Sequence, residues 1–415
     1  MSHSPTRSVY FDYAATTPVS SAAFEVLRAF STESFANPAS QHRDGQRASE
    51  TITDARKFFA DYFGTSGSQI VFTSGGTEAN NFALYGTALA ALAAGSTKKR
   101  ILVSAIEHPA VRDCARSLSE LGFDVQSIPV DRNGQIKRES FQKLLTAETL
   151  IVSIMRVNNV MGAINDVEAI AREAKSRFPD LIFHSDAVQA FGKVSVPRSP
   201  SSVDLLSLSA HKIHGPKGIG ALVVLNPTLV QEGRLRPLLW GGGQEAGLRS
   251  GTQSPGLIGA FAEAAREVTR RLQENFDIVA SFRKHLEQSL VSRGVADAVQ
   301  YNSPPSASPY VCNLTLRGHT GAEVVRELSN TGICVSAGSA CCSTKKEPDP
   351  VLTAMGLPPA RTLHGVRISL APEVTLDELE QLADALTAVV SSARLKTDGP
   401  QHYSSPVVPP ISLGL

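Results

Sequence analysis

Two stretches, Leu181-Ile-Phe-His-Ser-Asp-Ala-Val-Gln189 and Leu205-Leu-Ser-Leu-Ser-Ala-His-Lys212, decide how the rest of the chain is read. Each is a short apolar run that stops at ionisable or polar residues. Runs of this length and content are strands buried on both faces, the kind found in parallel sheets covered by helices. Working outward, the pattern repeats. Ile70-Val-Phe72 precedes a helical pattern over 77–92, Ile101-Leu-Val-Ser104 one over 109–121, and Leu150-Ile-Val-Ser-Ile154 one over 167–177. A further strand reads at 219–225. Strand and helix in succession predict an α/β fold with a mainly parallel sheet. A loop-rich junction from Gly241 to Pro255 then separates this part from a helical pattern over 257–290. A smaller α/β unit follows and ends in a helix over 376–395.

Composition narrows the function classes. Of 415 residues, 40 are Lys or Arg and 39 Asp or Glu, a net charge of +1 that offers no basic field to nucleic acid. The longest apolar stretch, 82–95, is too short to span a bilayer and reads as a buried Ala-rich helix. The first residues lack the pattern of a secretory signal. Five cysteines, an odd number, make no disulfide framework, and without Cys-x-x-Cys or His-x-x-x-His a metal site is not expected. A reducing cytoplasm suits this composition.

Ligands of parallel α/β sheets sit beyond the carboxyl ends of the strands. Those ends carry Thr73-Ser-Gly-Gly-Thr-Glu78, Glu107-His-Pro109, Val157-Asn-Asn159, His184-Ser-Asp-Ala-Val-Gln189 and Ser209-Ala-His-Lys212. Taken singly, each has an ordinary reading. Gly76 and Thr77 read as a turn and cap or as a phosphate cradle at a helix N-terminus. His108 reads as a structural residue, Asn158 and Asn159 as turn formers, Asp186 as a cap and Lys212 as a solvated loop lysine. Together, a cradle, a carboxylate and a lysine at the strand ends of one sheet are the parts needed to hold pyridoxal phosphate. The lysine makes the covalent link, the carboxylate keeps the ring nitrogen protonated and the cradle takes the phosphate.

These motifs, with Tyr10-Phe-Asp-Tyr-Ala-Ala-Thr-Thr-Pro18, Asn37-Pro-Ala-Ser40, Gly215-Pro-Lys-Gly218, Arg249-Ser-Gly-Thr252 and Gly338-Ser-Ala-Cys341, resemble the class V aminotransferase family and, within it, the cysteine desulfurases. The resemblance runs from Tyr10 to about Leu370. It implies the type I fold of pyridoxal-phosphate transferases, with a mainly parallel seven-stranded sheet in a large domain over 16–255. A smaller domain from 1–15 and 256–395 would carry the cysteine loop, and 396–415 would be a flexible tail.

The resemblance also implies roles. Lys212 links the cofactor and Asp186 faces its ring nitrogen. His108 stacks on the ring and shuttles protons. Gln189 and Asn159 address the ring hydroxyl and the substrate. Gly76, Thr77, Ser209 and His211 hold the phosphate, and Thr252 reaches the phosphate of a neighbouring subunit, which implies a homodimer. Arg367 clamps the carboxylate of L-cysteine, for which a bidentate guanidinium is suited. Cys341, on a run of small residues, takes the sulfur as a persulfide while L-alanine leaves. An acceptor protein then receives it: an iron–sulfur scaffold, a tRNA-thiolation enzyme or a sulfur carrier.

The chain departs from the family's pattern at four places. Val160 stands where Glu is usual, Cys342 adjoins Cys341, Ala371-Pro-Glu-Val374 replaces a Gly-containing segment, and the tail is short and proline-rich. Another lyase, an epimerase or an aminotransferase on this scaffold is the competing expectation.

Overall fold

The computed structural model describes residues 8–338 and 347–397. A short strand, β1 (Val9–Tyr10), is followed by seven strands that form one sheet. These are β2 (Ile70–Thr73), β3 (Arg100–Ser104), β4 (Asp124–Ile128), β5 (Thr149–Ser153), β6 (Ile182–Asp186), β7 (Leu205–Ser209) and β8 (Gly220–Val224). Their order is β2-β8-β7-β6-β5-β3-β4. β8 runs antiparallel to both neighbours, and the other pairs are parallel. The mainly parallel seven-stranded sheet expected from the sequence is therefore present. β4 was not singled out in the sequence: Gln126 and Ser127 interrupt its apolar pattern at the sheet edge.

The period of two along each strand builds a core on both faces. Val71, Ile101, Val103, Ile151, Ile182 and Leu205 pack with the helices Gly76–Ala93 and Pro109–Leu118. Ile70, Phe72, Leu102, Val152, Phe183 and Leu206 pack on the other side, with the helices Arg43–Phe63, Val167–Arg177 and Pro255–Arg270. Phe59 anchors that second layer, its ring centroid 4.7 Å from that of Phe261 and 6.0 Å from that of Phe72.

The helical pattern over 257–290 is two helices, Pro255–Arg270 and Leu272–Ser292, divided at Arg271, whose backbone leaves the helical region. Beyond them β9 (Val299–Tyr301), β10 (Val311–Leu316), β12 (Ser336–Ala337) and β13 (Val366–Ser369) form an antiparallel sheet in the order β12-β13-β10-β9. β11 (Ile333–Cys334) pairs in parallel with β1. Asp12 bridges Ser369, and Phe11 and Ala14 are buried in the core of this second sheet. The helix Leu376–Thr397 closes it against Leu272–Ser292. No helix among the described residues is long and apolar enough to cross a membrane.

Candidate active site

The carboxyl ends of β2, β6 and β7, the turns after β3 and β5, and the segment after β1 converge on one cavity of about 310 Å3. It is lined by Gly76, Thr77, His108, Asn159, Asp186, Gln189, Ser209, His211, Lys212 and Arg367, so the sequence-predicted residues outside Thr252 and Cys341 meet in one place. Thr252 is exposed and does not line this cavity. Cys341 and Cys342 lie outside the described residues, as do the rest of 339–346 and the residues beyond 397.

The helix Gly76–Ala93 starts at the cradle, where Gly75 takes φ 154° and presents no side chain. A Cβ on Gly76 would stand 2.7 Å from Val188 Cγ2, and one on Gly220 would stand 2.7 Å from Gly75 Cα. Only glycine lets this helix N-terminus close onto the sheet, so its free N–H groups face the cavity in position for an anion. Glu78 secures the turn by accepting from Ser74 N at 2.7 Å and from Arg249 Nε at 2.9 Å. Burial pushes its carboxyl up, but Arg249 and Ser74 together hold it below its ordinary value.

Asp186 ends β6 and is buried; Asn80 Nδ2 donates to its Oδ2 at 2.7 Å and Val188 N to its Oδ1 at 2.9 Å. These hydrogen-bond donors are neutral and leave room for a cationic ring N–H. Asn80 Oδ1 has no partner of its own. Lys212 sits in the turn Ala210–Lys212 after β7 and donates to the carbonyls of Ala14 and Ala15, both at 2.7 Å. Ala14 O also accepts from Gln189 Nε2 at 2.8 Å, so the segment after β1 ties the lysine to the glutamine.

His108 caps the helix Pro109–Leu118, and its Nδ1 accepts from Ala110 N at 3.1 Å. In the neutral ring the proton is then on Nε2. Burial lowers its pKa, with Lys212 and Arg112 adding to that and Asp186 opposing it. His211 is pushed down to about 4 by burial and by Lys212, Lys217 and Lys193, so it too is a neutral donor at pH 7. Glu107 is buried behind this row, with Oε1 accepting from Met155 N at 2.6 Å and Oε2 unpartnered. Burial, and the charge of Asp186, hold it well above the ordinary carboxylate range.

Arg367, in β13, is almost wholly buried. Its Nη2 donates to Asp12 Oδ1 at 2.7 Å and its Nη1 to Asn159 O at 3.0 Å, while Nε has no partner. Asp12 Oδ2 accepts from Ser336 Oγ at 3.0 Å, which joins the arginine to β12. Asn158 proves to be the turn former: its Oδ1 accepts from Val160 N at 2.9 Å and Met161 N at 3.0 Å, which leaves the neighbouring Asn159 lining the cavity. Val160, the departure from the family's Glu, is packed in the core.

Sequence reading missed Asn80 and Asp12. Asn80 had a signal, since it falls one turn after Thr77 on the same face of its helix. The chemistry of the donor set fits pyridoxal phosphate. A carboxylate without a cationic partner in its hydrogen bonds, a lysine at a strand end and an N-terminal cradle bound one cavity. Among the described residues no group of His, Cys, Asp and Glu is placed to hold a metal ion.

The model of the aminotransferase class-V family matches residues 9–382. A cysteine desulfurase IscS of Dictyoglomus turgidum is 35% identical over 389 residues, covering 94% of this chain and 96% of that one. A cysteine desulfurase of Trichormus azollae is 36% identical, covering 93% and 94%. This chain belongs to the class V aminotransferases, in their cysteine desulfurase branch. Among solved structures, a NifS-like protein aligns with a TM-score of 0.83 at 34% identity over 93% of this chain and all of the other. SspA, solved in complex with cysteine, aligns with a TM-score of 0.75 at 34% identity over 88% of this chain and 99% of the other. The desulfurase family thus accounts for the fold.

Proposed function

We propose that the protein is a pyridoxal-phosphate-dependent cysteine desulfurase that converts L-cysteine to L-alanine and carries the sulfur on Cys341 as a persulfide. The observation that carries this reading is the convergence of Asp186, Lys212, the Gly76 cradle and Arg367 on one cavity in a chain of this family. When bound, pyridoxal phosphate supplies an electron-accepting ring that weakens the bonds at the substrate's Cα and Cβ. Asp186 Oδ1 and Oδ2, fixed by Val188 N and Asn80, hold a proton on the ring nitrogen. Gly76, Thr77, Ser209 and His211 hold the phosphate by N–H and O–H donors, and Gln189 addresses the ring hydroxyl. Lys212 Nζ takes the Cα proton and returns one. Arg367 orients the substrate through its carboxylate, with Asp12 holding the guanidinium in place. Cys341, as thiolate, attacks the substrate sulfur, and the neutral His108 exchanges protons at Nε2.

Thr252 is assigned to the phosphate site of a second copy in a homodimer. Leu239 and Trp240, 44% and 74% exposed beside the 241–252 loop, support a subunit interface there. Glu245 in that loop takes φ 53° and is gripped by Arg56 at 2.9 and 2.7 Å, which supports a pre-shaped segment. The cytoplasm is the proposed location, and the division at 16–255 and 256–395 the proposed domain organisation.

Mass spectrometry of the protein after L-cysteine treatment tests the central reading: it is expected to find a persulfide on Cys341. Cys341→Ala is expected to keep its cofactor and its spectral response to L-cysteine yet release no sulfide with a reductant present. Normal sulfide release by that variant would favour a lyase instead. Sedimentation should find a dimer, and a monomer with full cofactor occupancy would remove the role given to Thr252.

A further inference from the structure

Lys212 lines two cavities. One is the cavity described above. The other is a small one of about 40 Å3, bounded by Lys193, His214, Asn275, Tyr310 and Glu373. The proposed chemistry leaves the second unused. Its lining contains two buried polar atoms without hydrogen-bond partners, the Tyr310 hydroxyl and Asn275 Oδ1. Buried polar atoms are rarely left so, and a polar void larger than about 10–15 Å3 holds water that satisfies them.

Lys193 borders the same space, donating to Gln189 Oε1 at 3.0 Å with its Nζ 5.8 Å from the centroid of the Tyr310 ring. At the far end His214 Nε2 stands 3.5 Å from Glu373 Oε1; the histidine side chain is 15% exposed and the glutamate 54%. His214 is held there by a left-handed backbone, φ 65°, with its N–H donated to Thr17 Oγ1 at 2.7 Å. Glu373 belongs to the Ala371–Val374 segment that departs from the family's pattern. The cavity therefore spans the distance from the base of the proposed reaction to a carboxylate in solvent.

We propose that this cavity holds ordered water that links Lys212 to bulk solvent through His214 and Glu373, and that the lysine exchanges its protons along this route. The inference rests on the desulfurase reading, in which Lys212 is the base. L-cysteine and a thiol become L-alanine and a persulfide without an external oxidant. The carbon–sulfur bond breaks, a sulfur–sulfur bond forms, and the electron pair left on carbon takes a proton. The thiol's own proton leaves at the cysteine segment, so an equal proton can enter elsewhere. A lysine with its own path to water can receive it without opening the substrate cavity. Burial, then Lys212 and Arg367, bring Lys193 down to about 7, so it too can pass protons near neutrality. Burial lowers His214, with Glu373 opposing and Lys193 adding to the shift, and Glu267 is the further carboxylate in its field.

A crystal structure of the holoenzyme at water-resolving quality is expected to show at least one water bonded to the Tyr310 hydroxyl and Asn275. Single turnover of α-deuterated L-cysteine in ordinary water reads the route itself. The wild type should wash the label out, whereas Glu373→Gln and Tyr310→Phe should keep about threefold more of it in the alanine with substrate affinity unchanged. Glu373 is on the surface, so that variant keeps its fold. A dry cavity, or label retention equal to wild type in both variants, overturns the proposal. A wild type that makes no alanine from L-cysteine would instead sink the desulfurase reading, and the water site would then be judged by the crystal structure alone.

Discussion

Two of the clefts among the described residues make a useful pair, and the larger of the two is not where the chemistry gathers. The cleft of about 550 Å3 lies between the helix Leu272–Ser292 and the segment 299–309, and its polar groups close on one another. Arg283, for example, donates to Glu287 Oε1 and to Val311 O, both at 3.2 Å. None of its lining residues has a buried side-chain nitrogen or oxygen without a partner. The cleft of about 310 Å3 is smaller, yet Asn80 Oδ1 and Arg367 Nε are both left unpartnered in its wall. Convergent groups that their own protein does not satisfy mark the site better than volume does.

The contrast breaks first at Lys212. Lys212→Ala should lower desulfurase activity by at least about a thousandfold, and borohydride should then fix no cofactor to this position, as peptide mapping would show. A reduced adduct on another lysine would move the site. Arg367→Ala should raise the KM for L-cysteine by a loss of about 2–4 kcal/mol of binding while the cofactor's spectrum stays intact. An unchanged KM would shift the carboxylate site elsewhere.

A satisfied group on β6, the strand that ends at Asp186, gives the next comparison. His184 lies between Ser153 Oγ at 2.8 Å and Ser207 Oγ at 2.9 Å, and burial pushes it down to about 3. The unfolded chain binds a proton here that the folded chain refuses, so stability present above about pH 6.5 is lost as the pH falls toward 3. Denaturant midpoints at pH 7 and pH 4.5 should show His184→Asn less acid-sensitive than wild type, by on the order of 2 kcal/mol. Equal acid sensitivity would mean that His184 is charged in the fold. The smallest effect belongs to the larger cleft: Arg283→Ala should leave kcat/KM within about twofold of wild type. A tenfold loss would bring that cleft into the reaction.

The sheet and most of the site were legible for one physical reason. A buried parallel strand is apolar until it leaves the sheet, so Asp186, Lys212 and His108 stand out where the apolar runs stop. Asn80 follows no strand directly; its one signal is its place a turn after Thr77 on the same helix face, which is weaker than the end of an apolar run. Asp12 meets Arg367 across 355 positions, a pairing that no local pattern encodes. The antiparallel course of β8 was equally hidden, because a buried strand has the same composition in either direction. The cysteine segment, read from its run of small residues and from the resemblance, lies outside the described residues.

One feature of the N-terminal segment bears on how the protein is made. Ala14 and Ala15 hold Lys212, while the neighbouring Val9, Phe11 and Asp12 bond to Gly332, Cys334 and Arg367. During synthesis the first strand therefore waits, unpaired, until more than three hundred further residues have left the ribosome. Such sequence-distant contacts form late, because the loop they close is long. A nascent chain can build its large sheet early but cannot finish the wall around its lysine until the second sheet, through Arg367, has been made.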